Sequence, residues 1–279
     1  MFIKYWKEII VIIGLISIIL WVLNKNNDKD VRGNETYYFK QGDKYFVNKE
    51  YDKAIESYKT SLELNPNNKY AYQNLGSLYG LKHKYIDAIK EYEKVLKLDS
   101  KNDIVYYNIG IFYTHEKKYS KAIFSLKKAI EINPKLDVAH YSLGVLLAKN
   151  KEYEKAIDSY EKSIDINSNY ASAYTNLFAL QLIQGVPFNE LLEKIYIEQF
   201  YNNKEMFIKY EMLKIFENLR DEKKVNLEEW REKYALITFG SWSFEGLHEW
   251  IEAMEDSGKK EKLLEALKMF ENHQPSTKD

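Results

Sequence analysis

From Glu35 to Tyr170 the apolar and polar positions fall in an order that returns every 34 residues. Each repeat is numbered here from its first residue: Glu35, Lys69, Asp103 and Asp137. Positions 4, 7, 8 and 11 carry one apolar stripe, which in the second repeat is Tyr72, Leu75, Gly76 and Tyr79. That spacing puts all of them on one face of a helix. Positions 20, 21, 24, 27 and 28 carry a second stripe: Ala54, Ile55, Tyr58, Ser61 and Leu62 in the first repeat, and Ala122, Ile123, Leu126, Ala129 and Ile130 in the third. Asn65-Pro66, Asp99-Ser100, Asn133-Pro134 and Asn167-Ser168 then end the second helix. Proline cannot continue a helix and biases its predecessor away from the helical region. The pattern predicts helix pairs over 35–68, 69–102, 103–136 and 137–170, with a degenerate fifth unit from Ala171.

Small residues keep the same interval: Gly42, Gly76, Gly110 and Gly144 at position 8, and Ala54, Ala88, Ala122 and Ala156 at position 20. Glycine inside a helix costs about 1 kcal/mol against alanine, so its return at one register demands a packing reason. The expectation is that the glycine of the first helix faces the alanine of the second and lets the two axes approach. A fixed period of this length means a solenoid, in which each unit packs only on its neighbours.

Tyrosine at position 4, leucine at 7, glycine at 8, tyrosine at 11, alanine at 20, tyrosine at 24 and proline at 32 resemble the tetratricopeptide repeat (TPR) family, strongly so from Glu35 to Tyr170. The resemblance implies an all-α fold, a right-handed α-solenoid of helix-turn-helix hairpins, whose first helices line a concave groove. Carried over position by position, the groove residues are Phe39, Tyr70, Asn74, Ile104, Tyr107, Asn108, Ile111, Val138, Tyr141, Val145 and Asn176. An asparagine can bond an extended peptide backbone without reading its sequence, and the apolar slots beside it would bury side chains. The carboxylate clamp by which some TPR proteins grip acidic C-termini needs two lysines and an arginine. In the first register this chain offers Phe39, Asp43, Asn74, Ile104 and Asn108, of which only Asn74 matches, and without cations nothing holds two carboxylates.

The fifth unit departs from the pattern, with Phe178 in the glycine slot and Glu190 in the second alanine slot. An array must end in an atypical unit that covers its last apolar face. Helical segments follow at 188–201, 206–219, 226–237, 244–254 and 260–270, with an aromatic turn at 239–244 around Trp242 and a second turn at Asp256-Ser257-Gly258. Residues 185–279 thus read as a helical C-terminal region, either degenerate repeats or a cap.

Ahead of the repeats, Ile9 to Leu23 is uncharged and lacks a polar face. At a rise of about 1.5 Å per residue it spans roughly 22 Å, and Tyr5, Trp6 and Trp21 with the snorkelling Lys4 and Lys7 extend it toward the ~30 Å hydrocarbon core. No small-residue cleavage site follows. Residues 1–23 are therefore expected to be a single N-terminal transmembrane anchor rather than a cleaved signal, and 24–34 a polar tether. The expected setting is a bacterial inner membrane with the repeats extracytoplasmic. Lys4 and Lys7 before the span are nearly balanced by Lys25, Lys29 and Arg32 after it, so the orientation rests on the short N-terminal tail.

Composition adds exclusions. Cysteine is absent and the net charge is −1, which removes disulfides, thiolate metal sites and a global pull on nucleic acid. His248-Glu249-Trp250-Ile251-Glu252 has glutamate where a zincin needs its second histidine. His83, His115, His140 and His273 share no common repeat position. No phosphate loop or nucleophile elbow is visible. The sequence reads as a non-enzymatic, membrane-tethered scaffold that needs no cofactor and takes a protein or peptide partner in its groove. The alternative is a structural subunit that self-associates through its tail aromatics.

Overall fold

The computed structural model describes residues 33–221, 223, 225, 251, 252 and 257–271. The expected anchor at 9–23, the segments from 226 to 250, Trp242 and His248 lie outside the described residues. Among the described residues there is no strand and no helix long and apolar enough to cross a membrane. The helices are α1 (Glu35–Val47), α2 (Tyr51–Leu64), α3 (Lys69–Leu81), α4 (Tyr85–Leu98), α5 (Asp103–His115), α6 (Tyr119–Ile132), α7 (Asp137–Lys149), α8 (Tyr153–Ile166), α9 (Ala171–Ile183), α10 (Glu190–Phe200), α11 (Lys204–Arg220) and α12 (Ser257–Glu271). The chain divides into two compact units, residues 1–125 and 126–279, with the division inside α6.

Each hairpin turns in the same way. After α1, the Lys49 amide donates to the Phe46 carbonyl (3.0 Å) and the Glu50 amide to that of Tyr45 (2.9 Å). This is a Schellman closure with its left-handed residue at Lys49. His83, Lys117 and Lys151 repeat it, with φ between 56° and 62° across all four sites. None of the four is glycine, so the sequence gives no hint of the left-handed backbone there. At the opposite turns, the starts of α7 and α9 have Leu136 and Tyr170 at the cap position and no side-chain cap. Those of α1, α3 and α5 are capped by asparagine: Asn34 Oδ1 accepts from the Thr36 amide, Asn68 from Tyr70 and Ala71, and Asn102 from Val105. A side-chain cap of this kind is worth about 1 kcal/mol.

The first unit buries Ala54, Tyr58, Ala71, Leu75 and Leu78 in one cluster and Ile89, Tyr92, Val95, Val105 and Ile109 in the next. The nearest neighbour of each of Gly42, Gly76 and Gly144 is a ring at position 24 rather than the expected alanine at position 20. A Cβ on Gly42 would stand 2.5 Å from the Tyr58 ring, on Gly76 2.7 Å from Tyr92, and on Gly144 2.7 Å from Tyr160. The glycine admits a buried aromatic ring at position 24 of its own hairpin.

In the second unit α7 and α8 repeat the hairpin, and α9 to α11 replace it with an aromatic core. Phe178 is buried and stacks on Phe188 at 5.0 Å, with Tyr196 edge-on at 5.8 Å and Tyr210 at 6.0 Å. At position 24 of this unit stands Lys194, so the large residue has moved from the second helix to the first. An ionic cluster joins α10 and α11: Lys214 Nζ bonds Glu193 (2.8 Å) and Glu217 (2.5 Å), while Glu217 accepts the buried Phe188 amide at 3.1 Å. Of the expected turn at Asp256-Ser257-Gly258, Ser257 and Gly258 lie instead in the first turn of α12, and Asp256 lies outside the described residues. Helix-end amides need no partner within their own helix, so glycine is cheaper there than in an interior turn.

Candidate functional site

The first unit presents Phe39 on α1, Tyr70 and Asn74 on α3, and Ile104, Tyr107, Asn108 and Ile111 on α5. Tyr70 is 60% exposed and Ile104 44%. The other five are half-buried, with the Phe39 ring 5.6 Å from that of Tyr58. The second unit presents Val138, Tyr141 and Val145 on α7 and Asn176 on α9, with Val145 36% exposed. Tyr141 packs on Tyr160 at 5.8 Å and on Tyr170 at 4.7 Å.

The asparagines are already at work. Asn74 Nδ2 donates to the Tyr58 hydroxyl (3.0 Å) and to Asp43 Oδ1 (3.3 Å), and Asn108 Nδ2 donates to the Tyr92 hydroxyl (3.3 Å). Asn176 Nδ2 donates to the hydroxyls of Tyr141 (3.3 Å) and Tyr160 (3.4 Å). In all three cases position 6 of one repeat is tied to position 24 of the repeat before it, and Asn74 and Asn176 each make a second bond to the first helix of that repeat. The tyrosines pass the chain on. Tyr58 donates to Asp43 Oδ1 at 2.6 Å. Ser77 gives its own hydrogen to the Gln73 carbonyl, so at 2.9 Å it accepts from Tyr92. With their amide nitrogens so engaged, the asparagines still offer carbonyl oxygens as acceptors for a ligand N–H.

The tyrosines and their position-9 acceptors are the residues that sequence reasoning left out of the site. The signal was available in the period. Asn74, Asn108 and Asn176 each follow a tyrosine at position 24, whereas Leu126 at that position is followed by Ser142.

Burial pushes the Tyr58, Tyr92, Tyr160 and Tyr210 phenols above their ordinary pKa, and the Asp43 carboxylate adds to the effect on Tyr58 as Glu193 does on Tyr210. A pKa raised on folding favours the protonated native form. The stability it contributes is complete below the unfolded tyrosine value of about 10 and is lost as pH rises through that value toward the folded ones. Urea midpoints measured from about pH 8 to about pH 11 are expected to hold and then fall, with tyrosinate absorbance rising together with unfolding.

Two histidines from different repeats converge. His83 Nδ1 lies 2.8 Å from the Tyr85 hydroxyl, and the His115 ring stacks on Tyr85 at 4.6 Å. His140 is buried and its Nε2–H donates to the Pro134 carbonyl at 2.9 Å. Among the described residues no group of three or more His, Cys, Asp or Glu is placed to hold a metal.

Sequence families described as TPR repeat and tetratricopeptide repeat match residues 42–83, 70–102, 104–136 and 138–170. A crystal structure of MamA is 30% identical to this chain, over 61% of this chain and 94% of that one, with a TM-score of 0.51. This chain belongs to the tetratricopeptide repeat family. Two further TPR-like structures share its fold. Pseudomonas aeruginosa pilF is 23% identical over 78% of this chain and 97% of its own, with a TM-score of 0.56. YrrB, described as a TPR protein with an unusual peptide-binding site, is 19% identical over 63% of this chain and 91% of its own, with a TM-score of 0.53. No curated protein matches the TPR chain by sequence.

Proposed function

We propose that this TPR protein is a membrane-tethered interaction scaffold whose first helices hold an extended, largely apolar polypeptide segment. The observation that supports the reading is the pairing of exposed apolar side chains, Tyr70 and Ile104, with asparagine carbonyls held in place by buried tyrosines. A fixed acceptor bonds a peptide backbone without an ordering cost at the moment of binding, and the apolar neighbours reward side-chain burial. Residues 9–23 supply the membrane tether in this proposal, with the repeats outside the cytoplasm. Of the tail aromatics, Phe188, Tyr196, Tyr210 and Phe216 are buried within their own unit and are spent on the fold, while those of 239–244 lie outside the described residues.

The test uses the exposed positions. Tyr141 is unsuitable because its ring and hydroxyl hold Tyr160, Tyr170 and Asn176. Tyr70→Glu with Ile104→Glu places two charges on the first unit's surface without opening its core. Crosslinking pull-down with the full chain is expected to lose its partner by about tenfold or more, as removal of central apolar contacts does at other interfaces. Unchanged capture would show that the groove is not the binding face. Protease accessibility in intact cells and spheroplasts tests the side of the membrane.

A further inference from the structure

A second surface lies on the second-helix side of the first unit. A cleft of about 420 Å³ opens there between α4 and α6 over α5, with Leu96, Ile109 and Tyr113 among its lining residues. Two small residues make room for it: Ser120 and Ser125 stand where the preceding repeat has Ile86 and Glu91. On its rim Phe124 is 62% exposed. The other repeats carry Glu56, Lys90 and Asp158 at that position, which is the solvated choice. An aromatic ring in water beside an apolar hole is a knob and a socket on one face of one molecule.

The charges around the cleft narrow the occupant. Glu93 comes from α4 and Lys121 from α6, and both line the cleft. Glu93 is close enough to the Tyr113 hydroxyl to raise its pKa, after burial, and Lys121 Nζ lies 5.5 Å from the centre of the same ring. Neither charge has an ion-pair partner among the described residues. A surface that carries a knob, a socket and one charge of each sign is self-complementary under a two-fold axis, where residue i meets residue j and j meets i.

We propose that this cleft is a homodimer interface, in which Phe124 of each copy enters the cleft of the other and Glu93 of each pairs with Lys121 of the other. The inference is independent of the groove, which uses the first helices of the repeats.

Sedimentation velocity of the full-length chain, over a concentration series in one detergent, tests it. The wild type is expected to show a reversible dimer, and Phe124→Glu to raise its dissociation constant by about tenfold or more. Glu93→Lys alone and Lys121→Glu alone each bring like charges together twice and are expected to weaken the dimer. An equimolar mixture of those two variants is expected to restore it, because each contact of the mixed dimer again joins opposite charges. A wild type that stays monomeric throughout, a dimer indifferent to Phe124→Glu, or a mixture as dissociated as its components would overturn the proposal. If Phe124→Glu loses helical circular dichroism, the mixing experiment decides, since both of its variants keep Phe124.

Discussion

Phe178→Ala is expected to destabilise the second unit by about 3–5 kcal/mol, the range for emptying a buried phenylalanine site. The side chain is fully buried and four aromatic neighbours surround it: Phe188, Tyr196, Tyr210 and Tyr174. These come from α9, α10, α11 and the segment before α10, so a cavity at Phe178 loosens every element of the cap together. Glycine, the residue of the other repeats, brings no relief at this position, because Lys194 and not tyrosine occupies the facing register. The loss should appear as a lower urea midpoint, weaker near-ultraviolet circular dichroism and faster proteolysis between α9 and α11. Tyr201→Ala is the control: that ring is 64% exposed, and its removal should cost about 0.5 kcal/mol or less. Equal losses from the two variants would mean that Phe178 does not organise the cap.

Gly76→Val is expected to cost the first unit about 3 kcal/mol, the upper range of overpacking in a filled core. A Cβ at Gly76 already meets Tyr92 Cδ1 and Cε1 at 2.7 Å and Cγ at 3.1 Å. These atoms include the root of the ring, which cannot swing clear, and the hydroxyl end is held by Ser77 and Asn108. Valine adds two methyl groups toward the same atoms, and its branched Cβ leaves it few rotamers with which to turn them away. Pairing Gly76→Ala with Tyr92→Leu separates the cause. Leucine is the residue that position 24 carries in the third repeat, and its smaller side chain vacates the space that alanine needs. The double variant should be more stable than the sum of the two single losses predicts. Strict additivity would place the strain elsewhere.

The stripes at positions 4, 7, 8 and 11 were enough to locate the first helices, which begin at Glu35, Lys69, Asp103 and Asp137. Periodicity reports which positions are buried, and there its information ends. It marks Gly76 as facing something close but does not distinguish the alanine at position 20 from the ring of Tyr92 at position 24. It marks Asn74 as lying toward the groove but not that Tyr58, sixteen residues earlier, and Asp43 have taken its amide hydrogens. In the cap the register itself dissolves. Phe178, Phe188 and Tyr196 come from three segments with no shared spacing, so their convergence was not legible. The exposure of Tyr70 and Ile104, by contrast, follows from their register on the first helices.

The Gly42–Tyr58–Asn74 set has a consequence for how such an array can be cut and rejoined. Its three members sit on a first helix, the second helix of the same hairpin, and the first helix of the hairpin that follows. A splice between hairpins separates the tyrosine from its asparagine, and a splice within a hairpin separates it from its glycine. Any exchange or duplication of repeats must therefore join ends that already agree at these positions. The chain holds two dialects, tyrosine with asparagine and leucine with serine, and a transplanted repeat must speak the one used at each of its ends.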